Sequence, residues 1–247
     1  MKAVILAGGY GTRISKISKG RSKVLMPVAG RPVVEYVLDT INTVDDIEET
    51  VLVTNARFYQ DFCEWSDGYD HEGRLTIIND RTNSNQDRLG AVGDVIFAME
   101  AEQIDDDLLI VAGDNICDFD LRPMRTQLKK WGSTIALYDV GSLEEAKKFS
   151  NVDMDTEGRI IKFVEKPESP EDSLVAVALY MICQQDLGLL DTYKRQGNNL
   201  DLLGGFIEWA CDRTNIYGHH CGGTWWDIGD PAVYTEANEH YSEEAER

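Results

Sequence analysis

Ala3-Val4-Ile5-Leu6-Ala7-Gly8-Gly9-Tyr10-Gly11-Thr12-Arg13 reads as a short buried strand that runs straight into a glycine-rich turn. Gly8, Gly9 and Gly11 let the backbone turn tightly and come close to a ligand. The N–H groups of such a loop suit phosphate oxygens. Arg13 adds a permanent cation with forked donors. Lys23 follows ten residues later, in Ser22-Lys23-Val24-Leu25-Met26-Pro27-Val28. A glycine loop backed by an Arg and a Lys fits a triphosphate. Two familiar phosphate loops are excluded. The dinucleotide fingerprint G-x-G-x-x-G fails because Ile14 stands where the third glycine should be, and the P-loop fails because no Gly-Lys-Ser/Thr follows.

Outward from this loop, strand-like and helical segments alternate. Ala3–Leu6, Thr50–Thr54, Leu75–Ile78, Leu108–Ala112 and Thr134–Val140 are short, apolar and bounded by polar turns. Between them Pro32–Val44, Arg57–Trp65, Ala91–Glu102 and Leu121–Trp131 carry apolar residues at helical spacing, with Pro32 in the first turn of its helix. This alternation predicts an α/β fold: a mainly parallel twisted sheet flanked by helices on both faces. Ligands of such sheets sit beyond the carboxyl ends of the strands. The glycine loop lies at one such end and Gly113-Asp114-Asn115 at another.

After about Val140 the rhythm changes. A short helix at Leu143–Phe149 precedes a hairpin, Val152–Met154 with Arg159–Val164, turning through Asp155-Thr156-Glu157-Gly158. Val175–Ile182 is a further apolar strand. Helices follow at Asp186–Arg195 and Asp201–Asp212, and a closing helix spans Ala232–Tyr241 before a polar, fraying tail, Ser242–Arg247. The expected organisation is one domain: residues 1–140 hold a nucleotide, 141–230 form a small substrate-binding β/α insertion, and 231–247 close the chain.

The 247 residues carry a net charge of −20, which argues against nucleic acid and anionic membranes as partners. Such a chain must gather phosphates locally, with cations, N–H groups and metal ions. No apolar stretch is long enough to span a membrane, and Met1-Lys2 leads directly into a strand with no signal peptide. The five scattered cysteines, with no C-x-x-C, point to reduced thiols in a cytoplasm rather than to disulfides or zinc. His219 and His220, beside Cys221, face opposite ways on a strand and are not expected to share one ion.

Leu6-Ala7-Gly8-Gly9-Tyr10-Gly11-Thr12-Arg13 with Lys23 and Pro27-Val28 resembles the signature of sugar-1-phosphate nucleotidyltransferases, most of all glucose-1-phosphate thymidylyltransferase and its uridylyl and cytidylyl relatives. Gly113-Asp114 resembles that family's metal-binding loop. Glu165-Lys166-Pro167 resembles its sugar-phosphate motif, and Trp226-Asp227-Ile228-Gly229 its late Trp-x-Asp-x-Gly motif. The resemblance covers most of the chain. It implies a Rossmann-like fold and transfer of a nucleotidyl group from a nucleoside triphosphate, dTTP or UTP first, to a sugar-1-phosphate. Cytidylyl or guanylyl transfer to another sugar or non-sugar phosphate is an alternative. So is a catalytically silent nucleotide-binding regulator. Homo-oligomers are common among such proteins.

The resemblance also implies roles. Arg13 and Lys23 are the catalytic cations, on the departing pyrophosphate and on the phosphates around the α-phosphorus. Leu6, Ala7, Gly8, Gly9 and Gly11 hold the nucleotide through backbone contacts, with Asn79 and Gly90 at the base. Glu165, Lys166, Tyr180 and Arg195 bind the sugar phosphate, Arg195 standing in for an arginine missing near Asn198. Asp114 and Asp227 are hard oxygen ligands for one Mg²⁺, with Asp118 and Asp120 as nearby alternatives. The sequence departs from the family pattern at Ser15-Lys16-Ile17-Ser18-Lys19, Ser150-Asn151-Val152 and Ala178, and in a longer loop over Asp80–Arg88.

Overall fold

The computed structural model describes residues 1–71 and 73–245. The chain runs β1 (Lys2–Leu6), α1 (Ser15–Ser18), β2 (Pro27–Val28), β3 (Arg31–Pro32), α2 (Val33–Ile41), β4 (Glu49–Thr54), α3 (Tyr59–Asp67), β5 (Arg74–Asn79), α4 (Ala91–Ala101), β6 (Leu108–Ala112), β7 (Asn115–Cys117), α5 (Arg122–Trp131) and β8 (Thr134–Asp139). It continues α6 (Leu143–Ala146), β9 (Ser150–Met154), β10 (Ile160–Val164), β11 (Leu174–Ile182), α7 (Gly188–Arg195), α8 (Leu203–Cys211), β12 (Tyr217–His220), β13 (Trp225–Asp227) and α9 (Pro231–Ala245).

Nine strands form one sheet in the order β10-β9-β11-β6-β1-β4-β5, with β8 on β11 and β12 on β8. The half containing the glycine loop is parallel: β6, β1, β4 and β5 all point the same way. Around β11 the pairing turns antiparallel, to β6, β8 and β9. The fold is thus mixed α/β. The segment after residue 140 contributes β9, β10, β11 and β12 to this sheet, with the β9–β10 hairpin at its edge.

β1 shows why these strands read as continuous apolar runs. Period two sends Ala3 and Ile5 to one face and Val4 to the other. Ala3 and Ile5 pack with Val34, Leu38, Phe62 and Met124 from α2, α3 and α5. Val4 packs with Val92, Val95, Leu190 and Ile207 from α4, α7 and α8. Each fully buried side chain of this size contributes roughly 1.5–3 kcal/mol. A third, smaller cluster joins Ile14, Met26, Val28 and Val33 to Ile116, Ile228 and Ala237. It ties the segment after the glycine loop to β7, β13 and α9.

Most helix boundaries shift by a few residues from the sequence reading, and two of the shifts have a visible cause. Pro32 lies in β3 and only precedes α2, because the Pro27–Pro32 and Val28–Arg31 pairing holds it extended. The segment expected to fray continues α9 as far as Ala245, and Ser242 donates to Asn238 O at 2.7 Å. Glu246 and Arg247, the end of that segment, lie outside the described residues. No helix among the described residues is long and apolar enough to cross a membrane.

Candidate active site

The parallel strands bring their carboxyl ends to one edge, and a cleft of roughly 840 Å³ opens there. Strand order sets its layout. β5 ends at one side, β4, β1 and β6 end in the middle, and the base of the β9–β10 hairpin closes the other side. Leu6, Ala7, Gly8, Gly9, Gly90, Arg13, Lys23, Asp114, Asp227, Glu165, Lys166 and Tyr180 all line it.

The middle is a charge cluster. Ala7 N donates to Val53 O at 2.8 Å and Asn55 Nδ2 to Gly8 O at 2.8 Å, so β4 fixes the glycine loop. Gly113 packs on the same loop. A Cβ there would stand 2.8 Å from Leu6 O, so only glycine lets the Asp114 segment approach. Ser22 Oγ accepts from Val24 N and buried Val24 anchors the turn, which aims Lys23 inward. Its ammonium pairs with Asp114 Oδ2. Asp114 Oδ1 accepts from Asn115 Nδ2 at 3.1 Å, and Asn115 Oδ1 accepts from Trp225 Nε1 at 2.7 Å. β13 pairs antiparallel with β7, setting Asp227 opposite Asn115, and Ile228 N donates to Asp114 O at 2.9 Å. The small apolar cluster supplies the floor, since Ile14 follows Arg13 and Ile228 follows Asp227.

The electrostatics follow from this packing. Burial works to raise the Asp114 carboxyl, but the Lys23 ammonium overrides it and holds the group below its ordinary value. Burial would lower the Lys23 ammonium; Asp114 and, more weakly, Asp227 hold it up. Asp227 is pushed up to about 6, by burial first and then by the Asp114 carboxylate beside it. Above about pH 6 two carboxylates thus face one lysine, which pairs with Asp114. Arg13 is exposed and, among the described residues, pairs with no carboxylate. Residues 1–34 hold seven Lys and Arg and no Asp or Glu, so a chain of charge −20 surrounds its phosphate loop with cations.

Asp114 and Asp227 are hard oxygen donors in mutual repulsion, a donor pair that suits a small divalent cation. Asp118 and Asp120 do not line the cleft. Asp118 Oδ1 accepts from Thr224 N at 2.6 Å, and Asp120 pairs with Arg122. No group of three or more metal-ligating side chains occurs among the described residues, and His219 Nδ1 bonds Gln127 Oε1 at 2.9 Å.

At the hairpin side, Val164 pairs with Asn151 across β10–β9, which sets Glu165 beside Ser150. Ser150 Oγ donates to Glu165 Oε2. Lys166 follows in the left-handed region at φ 46°, its ammonium 3.8 Å from Glu165 Oε1. Tyr180 on β11 is 3% exposed, and burial and the Glu165 charge raise its phenol.

At the opposite side Gly90 opens α4 at φ +83°. A Cβ there would stand 2.5 Å from Leu200 O, so the loop before α8 packs directly on this turn. Gly90→Ala is expected to destabilise the fold by about 1–3 kcal/mol, lowering the melting temperature by several degrees. An unchanged melt would contradict this contact.

Three sequence-derived site residues lie outside the cleft lining. Gly11 shapes the loop in the left-handed region at φ 60°. Asn79 turns its amide oxygen to its own loop, accepting from Arg81 N at 2.8 Å. Arg195 is exposed on α7, donating to Thr192 Oγ1 at 3.1 Å and to Asp191 O. In their place the cleft gathers Asn115, Ser150, Trp225, Trp226 and Asp94, which the motifs did not single out for binding. Asp94 left one signal: an acid inside the otherwise apolar helix Ala91–Ala101.

The nucleotidyl transferase family's sequence profile matches residues 2–244. The bifunctional protein GlmU of Methanocaldococcus jannaschii is 24% identical over 241 residues, covering 97% of this chain and 54% of that protein. The low-salt glycan biosynthesis nucleotidyltransferase Agl11 of Haloferax volcanii is 26% identical over 246 residues, covering 97% of this chain and 65% of that protein. The chain therefore spans about half to two thirds of the length of these relatives. A solved UDP-glucose pyrophosphorylase complexed with UDP-glucose shares the fold, with a TM-score of 0.82 at 21% identity, covering 98% of each chain. With a profile that covers almost the whole sequence, this chain belongs to the nucleotidyl transferase family.

Proposed function

We propose that the protein transfers a nucleotidyl group from a nucleoside triphosphate to a sugar-1-phosphate, releasing pyrophosphate. The observation that carries this reading is the charge cluster: Lys23, Arg13, Asp114 and Asp227 at the middle of a cleft that continues to Glu165 and Lys166. A phosphate oxygen of the sugar-1-phosphate bonds to the α-phosphorus. The bond from the α-phosphorus to the α,β-bridging oxygen breaks, and its electron pair leaves with pyrophosphate. The nucleophile is already ionised, so no general base is required. Two anions must meet, and fixed positive charge offsets their repulsion.

Gly8 and Gly9 hold the nucleotide through the backbone, Arg13 meets the departing pyrophosphate and Lys23 the α-phosphate region. Lys166 faces the sugar phosphate, and Glu165, oriented by Ser150, accepts from sugar hydroxyls. Asp114 and Asp227 would hold one Mg²⁺, which when bound supplies further charge neutralisation on the phosphates.

A pyrophosphate-release screen crossing GTP, UTP, dTTP, CTP and ATP with a panel of sugar-1-phosphates in Mg²⁺ tests this. Release that needs both substrates is expected; no release with any pair would overturn it. Glu165→Ala should raise the KM for the sugar-1-phosphate about tenfold and leave the KM for the triphosphate within about twofold. Equal rises in both would remove Glu165 from the sugar side.

A further inference from the structure

We propose that Asn115, held by the Trp225 indole, is a positioning residue that fixes the Asp114 carboxylate for its cation. The inference rests on the Asp114–Asp227 pair of the proposed function. Asn115 opens β7 directly after Asp114, is 7% exposed and lines the cleft. Its Oδ1 accepts from Trp225 Nε1 at 2.7 Å, and its Nδ2 donates to Asp114 Oδ1 at 3.1 Å. In the β13–β7 pairing Trp225 stands opposite Cys117 and Asp227 opposite Asn115. Period two puts Trp225 and Asp227 on one face of β13, and directly opposed residues share a face. One short ribbon thus presents Asn115, Trp225 and Asp227 on the same side, with Asp114 at its start.

The chemistry of these groups gives the chain of bonds a single direction. An indole N–H donates and cannot accept. The amide must therefore turn its oxygen to Trp225, which leaves its NH₂ for the Asp114 carboxylate, an acceptor only. An aspartate at 115 would satisfy the indole but set a further carboxylate beside Asp114. A leucine would satisfy neither. The indole is itself held in place. Its ring meets Phe149 edge-on with centroids 4.8 Å apart, and lies tilted against Tyr138 at 5.7 Å. Tyr138 in turn donates to Gly223 O at 3.3 Å.

Asp114 then has a donor on each oxygen: Lys23 serves Oδ2 and Asn115 serves Oδ1. A carboxylate has about four acceptor positions, so two donors leave lone pairs for a cation. The two donors differ in what else they must do. The Lys23 ammonium is the group assigned to the α-phosphate region. When it turns to the phosphates, the Asn115 amide remains as the side-chain donor to Asp114 among the described residues. Partners that orient a metal's ligands typically change metal affinity roughly 10–100-fold.

The test is Mn²⁺ binding at pH 7.5 without nucleotide, read by electron paramagnetic resonance on the wild type, Asn115→Leu and Trp225→Phe. Circular dichroism fixes the folded fraction of each. Trp225→Phe keeps an aromatic ring against Phe149 and Tyr138 and removes the N–H. Per folded molecule, Asn115→Leu should weaken Mn²⁺ binding about tenfold and Trp225→Phe about threefold. A merely structural amide would lower the melting temperature and leave the affinity of the folded protein unchanged, and that result would overturn the assignment. If Asn115→Leu fails to fold, Trp225→Phe decides alone, and wild-type affinity there would overturn it. Pyrophosphate release by the wild type separates this reading from the proposed reaction. Weaker Mn²⁺ binding in the variants, with no release from any substrate pair, would sink the transfer and keep the positioning role. Release with unchanged Mn²⁺ affinity in both variants would do the reverse. No Mn²⁺ on the wild type would overturn the positioning role together with the cation pair it serves.

Discussion

Lys23→Ala should lower turnover by about 10²–10³-fold while the protein remains folded. Lys23 is the only lysine or arginine paired with Asp114 among the described residues, and it stands within reach of the glycine loop, its Cε 4.0 Å from where a Gly9 Cβ would be. Loss of one preorganised charge at a developing anion typically costs a factor of this size. The substitution also strips the Asp114 carboxylate of its partner, which costs stability. Rates are therefore compared per folded molecule, with the folded fraction fixed by circular dichroism. Turnover within a few-fold of wild type would remove Lys23 from the reaction.

Asp227→Asn should separate activity from stability. Asp227 is raised to about 6 by burial and by Asp114, so above that pH the folded state carries two carboxylates in repulsion. A group raised on folding contributes stability below its unfolded value, and that contribution is lost as pH rises through the folded value. At pH 7.5, in chelator, the uncharged asparagine should therefore raise the melting temperature by a few degrees, on the order of 1–3 kcal/mol. Activity in Mg²⁺ should fall on the order of 10²–10³-fold, because half of the oxygen pair for the cation is gone. Excess EDTA should abolish wild-type turnover. A variant that is less stable than wild type and fully active would contradict both halves.

The sequence made the nucleotide half of the fold readable because its strands are buried on both faces. β1, β4 and β6 appear as unbroken apolar runs, and period two distributes Ala3, Val4 and Ile5 between two cores. The antiparallel pairing of β11 with β6 is a long-range choice that no local pattern in Val175–Ile182 encodes. The charge cluster was legible for a different reason. Gly113 and the glycine loop leave a composition signal wherever backbones must touch, and Asp227 lies in a recognisable Trp-Asp-x-Gly stretch. Arg195 was not placeable from sequence because charge alone does not give direction: its helix points it to solvent, along Asp191 and Thr192. Asn79 shows the same limit, since an Asx side chain serves its own turn as readily as a ligand. Asp94 was hidden by its helix, since an acid among apolar residues becomes informative only when its neighbours in space are known.

A chain of charge −20 repels polyphosphates at long range, yet residues 1–34 contain no acid at all. Glu35, the first carboxylate, is taken up by Arg31 at 3.0 Å. The glycine loop and the Lys23 turn therefore stand in a locally positive segment, which concentrates an anionic ligand where the backbone N–H groups can hold it.

The most direct measurement is anomalous scattering from crystals grown with Mn²⁺ and a nucleoside triphosphate. The expected result is one manganese peak shared by Asp114 and Asp227, with the triphosphate between Arg13 and Lys23. A peak at Asp118 or Asp120 instead, or phosphates bound away from the Gly8–Gly9 loop, would contradict the account that this cluster brings two anionic substrates together.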